Sequence, residues 1–127
     1  MVSKIIKIAL YLALGFGALT AQGEVDEDFM TTMEDLNKSL SSNISVKDGK
    51  AATAEATEME KMFVEVEAFF VKKTDAADGV KWSQDSRELS AAILKSVVAG
   101  DFDTAQQQAT SLSKTCKACH KIYKKKD

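Results

Sequence analysis

The chain has no proline, a single histidine and only two cysteines among its 127 residues. One histidine and no recognisable catalytic constellation argue against an enzyme. Paired carboxylates such as Asp26 and Asp28 are common on solvated helices and are no specific sign of acid–base chemistry. Strand-like alternation of apolar and polar residues is almost absent, which argues against a β-sheet protein.

Residues 1–23 have the features of a secretory signal peptide, namely two lysines, an apolar run from Ile8 to Leu19 and small residues near a cleavage point after Gly23. The apolar run is shorter than the ~20 residues of a membrane-spanning helix, although an uncleaved anchor is the alternative. We therefore expect export to the periplasm, cleavage without stable membrane insertion, and one small domain over residues 24–127.

Basic residues are also too few and too scattered for a nucleic-acid binder. Removal of the two leader lysines leaves 15 basic against 19 acidic residues, so the expected mature chain is acidic overall. A nucleic-acid-binding domain would show a basic face, and lysines cluster here only at the C-terminal tail. We expect no nucleic-acid partner.

Apolar residues recur at spacings of three and four over most of the chain, which is the helical period. This pattern predicts an all-α fold, an antiparallel up-and-down four-helix bundle with short connections. The predicted helices cover about residues 26–43, 49–73, 83–99 and 102–125.

Local signals predict where the third and fourth helices begin and end. We expect Gly79 in the turn before the third helix, Ser83 as its N-cap and Trp82 folded onto the bundle from the loop. Gly100 is predicted to stop the third helix, and Asp101 to cap the fourth.

Both cysteines and the only histidine fall within five consecutive positions, "CKACH", near the end of the last predicted helix. Positions i, i+3 and i+4 share one helical face, so Cys116, Cys119 and His120 should point the same way. Cys-x-x-Cys-His is the attachment sequence of c-type haem. Two thiols at this spacing can form thioethers with the two vinyl groups of one haem, and His120 can then ligate the iron.

Three other uses of these residues compete with a haem site. A disulfide between Cys116 and Cys119 would close only a tiny loop and add little stability. A redox-active dithiol normally lies at the start of a helix after a strand, not deep in a last helix. A zinc site needs further Cys or His ligands, and the sequence contains none.

The predicted four helices and the C-terminal "CHKIYKKKD" resemble the class II c-type cytochromes, the family of cytochrome c′ and its low-spin relatives. The resemblance covers the whole expected mature chain and implies one covalent haem c with its iron. Many members have an aromatic and then an arginine after the histidine. Here Tyr123 precedes Lys124, and the resemblance implies that this basic residue lies near the histidine side of the haem. Lysine keeps the charge but lacks the guanidinium fork.

The resemblance leaves two kinds of protein open. Low-spin members use a methionine of the first helix as the distal iron ligand, which implies Met30, with Met33 one turn on as the competitor. Such a chain would be an electron carrier with His/Met ligation. High-spin members have five-coordinate iron and bind NO or CO. Methionine is also a common core filler, and we assign Met59 and Met62 to packing.

Two expectations concern partners. Redox proteins would dock transiently at the haem edge, and the C-terminal lysines, Lys124 among them, would form a positive docking patch or simply solvate the last helical turn. The family resemblance also makes a homodimer through the first two helices an open alternative.

Overall fold

The computed structural model describes residues 25–73 and 75–123, and for residues 119–123 only the backbone. These ranges contain four helices with short connections and no strand, so the all-α prediction is confirmed. The predicted signal peptide (residues 1–23) and Lys124 lie outside the described residues. The helices are α1 (Glu27–Ser45), α2 (Gly49–Val71), α3 (Ala77–Val98) and α4 (Phe102–Tyr123).

Aspartates begin three of the helices. Asp26, Asp48 and Asp101 each accept a hydrogen bond on a side-chain oxygen from the backbone N–H three residues on, at 2.9, 3.1 and 3.1 Å. These bonds satisfy donors that a helix start leaves without an intrahelical partner. Gly100 follows α3 with φ of 75°, a left-handed conformation that glycine adopts readily. The predicted stop at Gly100 and the predicted cap at Asp101 are confirmed.

Helix α3 begins at Ala77, earlier than predicted, so the expected turn at Gly79 and the expected N-cap at Ser83 were wrong. Trp82 likewise lies within the helix and not in a loop. Gly79 lies inside the helix with the ring of Phe70 packed against its backbone; an added Cβ would lie only 2.6 Å from that ring. Ser83 does not cap the helix, because its hydroxyl donates to the Gly79 carbonyl at 2.6 Å.

The core takes side chains from every helix. Leu40 of α1, Met59 of α2, Ile93 of α3 and Leu112 of α4 are each 0% exposed. Burying a side chain of this size contributes about 1.5–3 kcal/mol before losses of conformational entropy. The helical spacing of apolar residues therefore identified the faces that pack together, as expected of an amphipathic bundle helix.

Contacts between the helices are consistent with the antiparallel order expected from the sequence. The end of α1 meets the start of α4, where Ser45 donates to Gln106 at 3.0 Å, and the middle of α1 meets the second half of α4 at Asn37 and Ser113. Helices α2 and α3 share the most extensive interface, and α1 and α4 share the least extensive of the main interfaces. Within residues 25–73 and 75–123, no helix is long and apolar enough to cross a bilayer.

Candidate functional site

A cavity opens between the four helices, and each helix contributes to its wall. Helix α1 supplies a stripe at i, i+3, i+4 and i+7, a spacing that keeps side chains on one face. The other helices add mainly apolar groups and two serines. The lining residues are Met30, Met33, Glu34 and Asn37 of α1, Met59, Phe63 and Val66 of α2, Trp82, Ser83 and Ser86 of α3, and Cys116 of α4.

Cys116 connects this cavity with the haem-attachment sequence. Its side chain is partly buried, packs against the core and lines the cavity. Cys119 and His120 follow on the same helix, α4, at positions i+3 and i+4 from Cys116. Their side chains lie outside the described residues, so the face that they share with Cys116 follows from helical register alone.

The two methionines proposed as distal ligands both line the cavity with Cys116. Met33 is buried, at 6% exposure, and Met30 is partly buried and packs against the core. Met59 of α2, which we assigned to packing, also lines the cavity and is fully buried. Met62 is buried as well but does not line it. The cavity therefore brings together one thiol, which could form a thioether with a vinyl group, and three methionine thioethers, of which one could ligate an iron.

Two small side chains on α3 help to leave this space open. Ser83 and Ser86 are each 2% exposed, and both line the cavity. The Ser83 hydroxyl is already satisfied by the Gly79 carbonyl one turn earlier. It therefore contributes its small size and no polar group in need of a ligand.

Asn37 is the uncharged polar residue of the α1 stripe, beside the carboxylate of Glu34 in the same wall. Its Nδ2 donates to the Ser113 hydroxyl of α4 at 2.9 Å. Its Oδ1 is shielded from solvent and has no hydrogen-bond partner among the described residues. Nearly all buried polar groups in proteins have a partner, so this oxygen is an unusual feature of the wall. Sequence reasoning missed Asn37, although a polar residue seven positions after Met30 on an apolar stripe was a signal.

The chemistry of the wall fits a haem better than its volume does. Apolar and thioether side chains suit a macrocycle, and Cys116 offers an attachment point. The cavity has an open mouth, and its volume is only about 50 Å³. A flat ring would therefore have to extend through the mouth or part the helices, and α1 has less extensive contacts than the α2–α3 pair.

Charge contributes little inside the cavity. Glu34 is the ionisable carboxylate in the wall, and it is partly exposed. Among the side chains that the structure describes, no three His, Cys, Asp or Glu residues cluster as a metal site. Cys119 and His120 are not part of that set. Away from the cavity, hydrogen bonds from the Thr104 hydroxyl and then the Thr104 backbone N–H lower the pKa of the Asp101 carboxyl at the start of α4.

Comparison with known proteins adds no family assignment. No family model, no curated protein and no solved structure matches this chain.

Proposed function

We propose that this chain is a periplasmic electron carrier with one covalently attached c-type haem, a relative of the low-spin class II cytochromes. One observation supports the proposal most strongly. Cys116, the first thiol of the Cys-x-x-Cys-His sequence, lines the same cavity as Met30 and Met33, the two candidates for the distal ligand. These residues are about 80 positions apart in the chain, so their meeting is independent of the motif.

In this proposal the attachment sequence holds the cofactor from one side. The thiols of Cys116 and Cys119 would hold the haem, each by adding across one vinyl group so that a carbon–sulfur bond forms and the thiol hydrogen ends on the neighbouring carbon. The imidazole of His120 would offer a nitrogen ligand to the iron. A haem held in this way would supply an iron that gives or accepts one electron.

The opposite side of the cavity provides the distal ligand and the surroundings. Met30 is the first candidate and Met33 the second, because the family resemblance implies the earlier position. A thioether ligand raises the reduction potential relative to a second histidine. The apolar side chains of Phe63, Val66 and Met59 lower the polarity of the wall, which acts in the same direction by disfavouring the more highly charged ferric state.

Export and docking belong to the same proposal. A leader over residues 1–23 would bring the chain to the compartment where cytochromes of this type receive their haem, and redox proteins would then dock transiently. The mass of the purified mature protein tests cleavage after Gly23. A docking role for the C-terminal lysines predicts that reaction with an acidic partner slows as salt rises.

The first experiment is an optical spectrum of the protein produced in cells able to attach haem, in both oxidation states and with CO added to the reduced form. We expect covalent haem, sharp ferrous bands, a weak sulfur-to-iron band in the ferric form and no effect of CO. Met30→Ala should convert the iron to a five-coordinate form that binds CO. Met62→Ala is the matched control, because Met62 is also buried yet does not line the cavity.

Each other result has a defined meaning. If Met33→Ala, and not Met30→Ala, gave five-coordinate iron that binds CO, the distal ligand would be Met33, one turn further along α1. If the unmodified protein bound CO, the result would refute the proposed electron carrier and favour the gas-binding function of the high-spin relatives. A colourless protein with two titratable thiols, from cells that load other c-type cytochromes, would refute a haem protein and favour a redox dithiol.

A further inference from the structure

Asn37 is positioned at the cavity by both of the helices that would contact the haem from opposite sides. It lies on α1, one turn beyond Met33, and lines the cavity. Its amide is held by the hydroxyl of Ser113 on α4, at 2.9 Å. Ser113 lies three residues before Cys116, which places it one helical turn from the proposed attachment point.

One polar atom of the Asn37 side-chain amide has no hydrogen-bond partner among the described residues. This atom is Oδ1, which is shielded from solvent. An amide can also rotate by 180°, which exchanges its oxygen and nitrogen. A serine hydroxyl can donate as well as accept, so the Ser113 contact survives either orientation. Asn37 can therefore offer the cavity an acceptor or a donor without losing its support.

We infer that Asn37 is a positioning residue of the haem cavity, whose amide forms a hydrogen bond with an oxygen that arrives with the cofactor. This inference rests on the proposed haem function. The oxygen belongs either to a haem propionate, which would accept from Nδ2 after the amide has rotated, or to a water molecule beside the distal ligand, which would donate to Oδ1. Hydrogen bonds to groups around a haem shift its reduction potential, so Asn37 adjusts the potential without touching the iron.

The test is the reduction potential of the holoprotein with Asn37→Leu, a substitution of similar size that removes both amide atoms. We expect the ferrous-to-ferric ratio at a fixed ambient potential to change by about threefold to tenfold; tenfold corresponds to about 59 mV for a one-electron couple. Asn43→Leu is the matched control. Asn43 lies on the same helix with similar exposure and bonds to Glu55, but it does not line the cavity.

The direction of the change identifies the source of the oxygen. Loss of a donor to a propionate leaves its negative charge less compensated, which stabilises ferric iron, lowers the potential and raises the pH at which the potential responds to carboxyl protonation. If the amide instead holds a water molecule, its loss makes the cavity less polar. The reduction potential then rises and its pH profile stays unchanged. Ser113→Ala should reproduce part of either effect, because it releases the amide without deleting it.

Equal potentials and equal pH profiles for the unmodified protein, Asn37→Leu and Asn43→Leu would overturn the inference while leaving the haem function intact. If the unmodified protein contained no haem, the proposed function itself would fail first. If Asn37→Leu did not fold, a high-resolution structure of the unmodified holoprotein would decide the question. An oxygen within about 3.2 Å of the Asn37 amide on its cavity side supports the inference, and an amide bonded there only to protein refutes it.

Discussion

Gly79→Ala should destabilise this bundle, although alanine is the better helix former by about 1 kcal/mol. Gly79 lies in the first turn of α3, where an added Cβ would approach three atoms of the Phe70 ring at 2.6, 2.7 and 2.9 Å. The ring is buried, at 6% exposure, and is therefore confined by its neighbours. Overpacking of this kind costs about 1–3 kcal/mol. Subtracting the gain in helix propensity from the cost of overpacking leaves an expected net loss of up to about 2 kcal/mol.

Urea unfolding followed by far-ultraviolet circular dichroism measures this change in the free energy of unfolding. Gly49→Ala is the matched control, since its added Cβ would lie 3.6 Å from the Phe102 ring, an ordinary contact distance. We expect that control to be neutral or slightly stabilising. In a Phe70→Leu background, the cost of Gly79→Ala should shrink, because the smaller side chain leaves room. A Gly79→Ala protein more stable than the unmodified chain would refute this account of tight packing between Phe70 and Gly79.

Two further predictions use single groups in the chain. Trp82, the one tryptophan, lines the cavity, so haem bound there should strongly quench its emission relative to the haem-free chain by accepting excitation energy at short range. Equal emission after correction for haem absorbance would exclude haem from the cavity. At Asp101, hydrogen bonds from the Thr104 hydroxyl and then the Thr104 backbone N–H hold the pKa of the carboxyl below its usual range. A lowered folded pKa gives stability that is present above the unfolded pKa and lost as pH falls through the folded one. The stability difference between the unmodified chain and Asp101→Asn, which keeps a capping side chain, should therefore shrink in acid; a difference constant with pH would contradict this assignment.

The sequence predicted the helices well where the signal was periodic and less well where it was local. Helical spacing identified the buried faces, as Leu40 and Leu112 illustrate. The helix stop at Gly100 and the helix cap at Asp101 could also be predicted from the sequence, because each acts through its own backbone or through a neighbour three residues away. Gly79 and Ser83 were misread as turn and cap residues, although the same residue types can serve inside a helix.

The start of α3 at Ala77 lies beside tertiary contacts that the local sequence does not indicate. Nothing in the residues around Gly79 indicates that the Phe70 ring, from the preceding helix, packs on its backbone. Ser83 would be a good N-cap in isolation, yet in the folded chain its hydroxyl bonds back to the Gly79 carbonyl. Intrinsic preferences of about 1 kcal/mol give way to a packed interface of larger energy.

The candidate site, like the fold, could be predicted from the sequence only in part. The spacing of Cys116, Cys119 and His120 is a local property, so the sequence alone was enough to propose a covalent haem on one helical face. The sequence could not determine that Cys116 shares a cavity with Met30 and Met33, or that Asn37 lies in its wall with a spare amide oxygen. Those facts depend on how the helices rotate and approach one another. That arrangement is decided by packing among all four helices, and no single segment of the chain specifies it.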